Sequence, residues 1–561
     1  MNQPSAPPDG GDLLVALLCH LGIDTVFGIV SVHNLPLVAA VDRELRFVPV
    51  RHEATAVSAA DAYGRARGGI GCALTSTGTG AGNAAGSLVE ALSAGAPVLH
   101  ITGQIDSAHL GRGRGFIHET KDQLGMLRAV SSYAATVPDA ARAAGVLCEA
   151  ATAALTAPAG PASVEWPIDL QYAAQDPAVL DALTAGPGTV RPPHPAPAPD
   201  DGELDAAARL LAWARRPLVW AGGGAAVCRT ELTALLERTG AGLLTSNSGR
   251  GVIPEDDPRV IGNFATTPAG RALLADADVL LSVGTHFRSN ETADYSLELP
   301  AAHIQIDLDA DALGRSYPAR HRLHGHAPHV LAALLGRLPE QTAADENWAA
   351  RLHAVRTEVR DRLRVSIGPQ AALCDALRAA LPREAVIARD VTIASSSWGN
   401  RLLEIFDPRD NVFPRGGGIG QGLGMGIGAA LARPQAPTVV MAGDGGLAVH
   451  LGELLTLAQT RPRLTLVVLN DGGYGVLRNM QDRYFDRRSG VDLTTPDFAL
   501  LARACGLPYA RIAAEEEAGP VLADAVAADG PTLVEVDLGA LGPMKTPFTP
   551  PVKLPAPTTA P

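Results

Sequence analysis

The stretch 439–476, VVMAGDGGLAVHLGELLTLAQTRPRLTLVVLNDGGYGV, constrains what this chain can fold into more than any other. A β-branched run ending at Ala442 and a second over 464–469 read as buried parallel strands, and 448–459 between them has helical spacing with Glu453 on its polar side. That is a βαβ unit. Both strands run into a carboxylate at a glycine turn, Asp444 in Gly443-Asp444-Gly445 and Asp471 in Asn470-Asp471-Gly472-Gly473. In an open α/β sheet the carboxyl ends of neighbouring parallel strands face one crevice, so the two acids can converge on one cation. Hard oxygen donors suit Mg²⁺ or Ca²⁺, and the glycines let a carbonyl such as that of Gly473 and several N–H groups approach a small charged ligand. Magnesium is normally shared with phosphate oxygens, so the pair predicts a diphosphate together with the metal.

A Gly-Asp-Gly turn followed, after one helix and one strand, by Asn-Asn or Asn-Asp resembles the diphosphate half of thiamine diphosphate enzymes, most closely the acetolactate synthase, benzoylformate decarboxylase and benzaldehyde lyase group. The resemblance implies that Asp444, Asp471 and the Gly473 carbonyl hold Mg²⁺, and that Gly443, Gly445, Gly446, Tyr474 and Gly475 border the cofactor. Asp471 stands where that family more often has Asn; it keeps an oxygen ligand and adds a negative charge.

The length of 561 residues is too great for one core and predicts three domains of roughly 150 to 190 residues. A net charge of −13 argues against nucleic acid or an anionic membrane as the main partner. No apolar run approaches the ~20 residues of a membrane span, and the N-terminus MNQPSAPPDGGD has neither the basic nor the apolar part of a signal peptide, so a cytoplasmic protein is expected. The six cysteines are scattered without CxxC and read as small core residues, and the histidines of HRLHGHAPH, His321, His324, His326 and His329, read as a solvated loop.

The expected architecture is α/β, with three doubly wound parallel-sheet domains: pyrimidine-binding over 11–182, central Rossmann-like over 204–340 and diphosphate-binding over 365–542. A Pro-rich linker, 183–203, and a Pro-rich tail, 543–561, flank them. In the first domain, His52-Glu53 opens a helix after the short strand 46–50. An acid there is often only a dipole partner; the resemblance makes Glu53 the carboxylate facing the aminopyrimidine, because Phe27-Gly28 and His52-Glu53 stand in the family's order. The strand from Gly71 runs into a glycine loop before a helix over 84–94, and by resemblance Gly78, Thr79, Gly80 and Asn83 pack around the pyrimidine, with Thr79 in place of a Pro. His118, in Gly115-Phe116-Ile117-His118-Glu119, is a proton shuttle or substrate contact, or else a surface histidine. Val30, Ser31, His33, Gln104 and Val476 are assigned to the substrate pocket, Val30 and Ser31 replacing the family's usual Pro-Gly.

In the central domain three strand-then-turn units are visible. Some relatives bind FAD or an ADP group there, but no phosphate fingerprint is complete and a spacer without FAD is expected. In the third domain the hydroxyls of Thr392 and Ser395 would bind diphosphate or cap a helix. The glycine-rich run 416–428 carries Ile419, by alignment the bulky residue beneath the cofactor. The implied chemistry is decarboxylation of a 2-oxo acid, with or without carboligation to an aldehyde or second carbonyl, by a homodimer or dimer of dimers whose sites are shared between subunits. A simple decarboxylase, a C–C lyase and a non-catalytic cofactor-binding scaffold are the alternatives.

Overall fold

The computed structural model describes residues 7–184 and 198–550. Most of the Pro-rich linker and the end of the tail lie outside the described residues. Among the described residues, eighteen strands form three six-stranded sheets, and every pairing within them is parallel. The first holds β1 (Thr25–Gly28), β2 (Arg46–Pro49), β3 (Gly71–Thr75), β4 (Val98–Gln104), β5 (Tyr133–Thr136) and β6 (Pro161–Pro167), in the order β2-β1-β3-β4-β6-β5. The second holds β7 (Pro217–Ala221), β8 (Gly242–Thr245), β9 (Val260–Gly262), β10 (Val279–Val283), β11 (His303–Asp307) and β12 (His321–His324), in the order β12-β11-β10-β7-β8-β9. The third holds β13 (Val386–Arg389), β14 (Asn411–Val412), β15 (Thr438–Gly443), β16 (Leu464–Asn470), β17 (Tyr509–Ile512) and β18 (Thr532–Asp537), in the order β14-β13-β15-β16-β18-β17.

Counted from each domain's own first strand, the outer sheets share one order and the central sheet has the doubly wound order of dinucleotide-binding folds. In the outer sheets the chain reverses direction between the first and third strands, which places a switch-point crevice at the ends of β1 and β3 and another at the ends of β13 and β15. The strands read as continuous apolar runs because helices cover both sheet faces; β15 is buried from Thr438 to Ala442.

The first and third domains meet through the helices Glu53–Arg67 and Gly422–Ala432. A Cβ on Gly428 would lie 2.0 Å from the Ala59 carbonyl oxygen, and one on Gly424 would lie 2.6 Å from Ser58 Oγ. The alternating glycines therefore serve a close helix crossing. The central domain is tied to the third by the buried pair Arg250–Glu255: Arg250 donates to the carbonyls of Gly399 and Leu403, and Glu255 accepts the Ile405 N–H.

Several sequence expectations are corrected. The helix expected over 448–459 is two, Asp444–Val449 and Glu453–Thr460, because His450 leaves the spiral and its Nδ1 lies 2.8 Å from the Gly420 carbonyl oxygen. The helix expected from Ala84 begins at Thr79, so Thr79, Gly80 and Asn83 sit on its first turns. The histidine-rich stretch is no loop: His321 and His324 are on edge strand β12, His329 is in the helix Ala327–Leu335, and His321 pairs with Glu203. Cys19 is exposed, so the cysteines are not uniformly core. The segment between the second and third domains holds a helix, Trp348–Ile367, whose Trp348, Leu352, Val355 and Val359 join the core shared by those domains. Among the described residues no helix is long and apolar enough to cross a membrane.

Candidate active site

A cleft of about 880 Å³ opens at the carboxyl ends of β13, β15 and β16. Asp444 is the first residue of the helix that follows β15, and Asp471 directly follows β16; adjacent parallel pairing, Gly443 opposite Leu469, brings them together. The Asp471 N–H donates to Asp444 Oδ1 at 3.3 Å. Two glycines make the convergence possible: a Cβ on Gly445 would lie 2.9 Å from the Gly473 carbonyl oxygen, and one on Gly475 would lie 2.0 Å from Asp471 Oδ2. Among the described residues, nothing donates a hydrogen bond to the buried oxygens Oδ2 of Asp444 and Oδ1 of Asp471. Burial, and then repulsion from Asp444, pushes the Asp471 carboxyl up to about 6, and burial raises Asp444 as well. Arg478 approaches Asp471 at 3.7 Å but also engages Asp492 at 2.8 Å. Two orphaned carboxylate oxygens beside a carbonyl form a hard-oxygen donor set that suits Mg²⁺.

Thr392, Ile419, Gly443, Gly446, Tyr474, Gly475 and Val476 line the same cleft. Thr392 Oγ1 caps its helix by accepting the Ser395 N–H at 3.0 Å, and Ser395 is buried behind it. Ile419 is 40% exposed at the rim. Its loop is fastened from two sides by residues that sequence reasoning missed. Asp390, at the end of β13, accepts the N–H groups of Gly420 and Gly422, while Glu90 of the first domain accepts those of Gly416 and Gly418 at 2.6 Å each. Both left a signal: Asp390 is a third acid at a strand end of the same crevice, and Glu90 is a carboxylate on the buried face of its helix.

Among the described residues, none from the first domain lines that cleft. Glu53 is the first residue of its helix, 9% exposed, and its Oε2 accepts from Asn83 Nδ2 at 3.0 Å. A Cβ on Gly80 would sit 3.0 Å from Glu53 Oε1. The Gly78 N–H donates to Gln123 Oε1 at 2.7 Å, and the His118 carbonyl packs where a Gly78 side chain would be. The turn after β1 presents Val30, Ser31 and His33; Ser31 N–H donates to Asn34 Oδ1, and Asn34 Nδ2 donates to the carbonyls of Ile29 and Thr75. His33 is 4% exposed with neither ring nitrogen bonded, and its ring meets that of exposed His118 edge-on at 5.2 Å. Burial, then the neighbouring His118, lowers the pKa of His33. Gln104 is drawn inward instead, its amide shared between Thr77 and Glu165.

In the central domain the triple glycine serves strand-end packing: a Cβ on Gly222 would lie 2.1 Å from the Gly284 carbonyl oxygen.

Models of the thiamine pyrophosphate enzyme family match all three parts of the chain: the N-terminal TPP-binding domain over residues 8–126, the central domain over 204–334 and the C-terminal TPP-binding domain over 393–536. The chain belongs to the thiamine pyrophosphate enzymes, and it is a thiamine-dependent enzyme of the decarboxylase and carboligase type. Among its relatives is a probable 2-ketoarginine decarboxylase of Pseudomonas aeruginosa, 34% identical over 509 residues, covering 90% of this chain and 89% of the relative. A probable acetolactate synthase large subunit of Methanocaldococcus jannaschii is 27% identical, covering 94% of this chain and 91% of its own. The acetolactate synthase isozyme 2 large subunit of Escherichia coli is also 27% identical, covering 95% and 96%.

Proposed function

We propose that the chain decarboxylates a 2-oxo acid with thiamine diphosphate and Mg²⁺, at active sites that each combine the third-domain cleft of one subunit with the first-domain crevice of another. The orphaned oxygens of Asp444 and Asp471 carry the metal part of this reading. Asp444, Asp471 and the Gly473 carbonyl would hold Mg²⁺, with Gly443, Gly445, Gly446, Tyr474 and Gly475 around the diphosphate. Bound thiamine diphosphate supplies an electron sink for the pair released when a carboxylate leaves as CO₂. Glu53, supported by Asn83, would exchange a proton with the aminopyrimidine ring, and Gly78, Thr79 and Gly80 would flank that ring. Ile419 would support the cofactor from below.

His33 and His118 would handle the substrate proton. The lowered pKa of buried His33 favours the neutral, proton-accepting imidazole, and exposed His118 stands beside it. Val30, Ser31 and Val476 would border the substrate. Carboligation is the second reading, favoured by the room for an acceptor in a cleft of about 880 Å³. FAD has no part in either reading.

Self-association is supported by large apolar side chains exposed near the two half-sites in sequence: Val32, Leu35 and Val89 in the first domain, Val449, Leu455 and Leu477 in the third. The reaction is tested by NMR of products from a 2-oxo acid with and without an aldehyde. An aldehyde product that needs Mg²⁺ and disappears in Asp444→Ala supports decarboxylation, and a 2-hydroxyketone selects carboligation. Undiminished activity in Asp444→Ala, or in EDTA, refutes the metal assignment.

A further inference from the structure

A second chamber, about 370 Å³, lies between the central and third domains. It shares Val391, Gly417, Val476 and Phe548 with the cofactor cleft, so the two spaces adjoin along those residues. Four arginines line it, Arg288, Arg389, Arg401 and Arg415. Among the described residues, none of them is in an ion pair, whereas the neighbouring Arg250 is paired with Glu255.

Arg288 and Arg389 are occupied by neutral oxygens: Arg288 by the carbonyls of Ser93 and Arg415, Arg389 by the Gly399 carbonyl and the side-chain oxygens of Asn400 and Asn411. Among the described residues, Arg401 donates only through Nε, to the Asn263 carbonyl at 3.1 Å, which leaves both terminal nitrogens without an acceptor there. Arg415 donates one terminal nitrogen to the Ala94 carbonyl, and its buried Nε is unbonded.

The two carboxylates of the wall are already committed to backbone donors. Glu291 accepts the Asn247 N–H at 2.6 Å, and Asp390 holds the glycine loop. Burial raises the pKa of both, and the backbone donors, with Arg288 and Arg415 at Glu291, act against that rise. The same burial lowers Arg401 to about 10 and Arg415 to about 9, so both stay cationic at neutral pH. The wall holds more positive than negative charge, and guanidinium donors match a carboxylate in geometry. Ser395, Ser396, Asn263 and Asn290 add neutral polar groups around it.

We propose that this chamber receives the distal carboxylate of a dicarboxylic 2-oxo acid whose reacting end lies in the cofactor cleft. The proposal rests on the cleft being the site of 2-oxo acid decarboxylation. It sets the charge of the tail: an anionic tail gains the unpaired guanidinium groups, an apolar tail leaves them unpaired, and a cationic tail meets four like charges.

The test compares 2-oxoglutarate, 2-oxopentanoate, which has equal chain length and an uncharged tail, and 2-oxo-5-guanidinopentanoate on the Mg²⁺ and thiamine diphosphate holoenzyme. The expected result is a kcat/KM for 2-oxoglutarate at least ten-fold above 2-oxopentanoate, with the guanidino acid poorest. Arg401→Gln should cut the ratio of the first two at least ten-fold, mainly through KM, and Arg401→Lys should restore most of it. Equal or better use of 2-oxopentanoate or the guanidino acid, or an unchanged ratio in Arg401→Gln, overturns the chamber's role while decarboxylation stands. Turnover of none of the three overturns both.

Discussion

Glu53 depends on the residues around it as much as on its own chemistry. Its carboxylate is nearly buried at a helix N-terminus, held by Asn83 and bordered by the bare Cα of Gly80. Glu53→Gln keeps size and hydrogen-bonding reach but loses the ability to exchange a proton. We expect an unchanged fold and near-normal cofactor affinity, with activity reduced by about 10²–10⁴. Calorimetric titration of thiamine diphosphate alongside steady-state rates separates the two effects; a mutant rate within two-fold of wild type would remove Glu53 from the chemistry. The acid pair shows a different principle. Asp444 and Asp471 repel each other in a buried setting, a cost that the cation proposed for the pair would offset.

The element that matters most is the loop 416–420, which carries Ile419. Its N–H groups are not paired within its own domain alone: Asp390 holds one end and Glu90, from the first domain, holds the other. Charge-assisted hydrogen bonds of this kind contribute about 1.5–3 kcal/mol each. Removing the Glu90 carboxylate therefore frees the loop without touching the proposed metal ligands. Glu90→Ala is expected to weaken thiamine diphosphate binding by at least ten-fold while circular dichroism stays native; Asp390 alone suffices to hold the loop if binding is unchanged. The break between the helices Asp444–Val449 and Glu453–Thr460 belongs to the same device, since His450 is taken from the helix to meet the Gly420 carbonyl.

At the scale of the molecule, the proposed active site draws on two separate crevices of the chain. Among the described residues, none of the first domain lines the cleft with Asp444, and Glu53 sits in the crevice of the other outer domain. Two copies related by a two-fold axis would each complete the other's site, giving two equivalent centres. Mixing Glu53→Gln with Asp444→Ala chains is therefore expected to recover activity, roughly a quarter of wild type when the chains assort at random, because each heterodimer has one site with both residues intact. Demonstrated heterodimers without recovery, or a fully active monomer, would show that the sites are not shared.

How much of this was legible beforehand follows from the range over which each feature is fixed. The strands around 439–476, the acids at their ends and the glycines beside them could be read from the sequence, because strand pattern and turn chemistry are set by residues a few positions apart. Short motifs of that kind also carry the cofactor class. Tertiary structure decided the rest. Glu90 meets Gly416 across 326 positions, Arg51 meets Glu453 across 402, and the four arginines of the second chamber come from two domains. No local pattern encodes such encounters. They exist because helices and sheets pack at fixed distances, and packing alone decides which charged side chains are left facing one another and which are left facing a space.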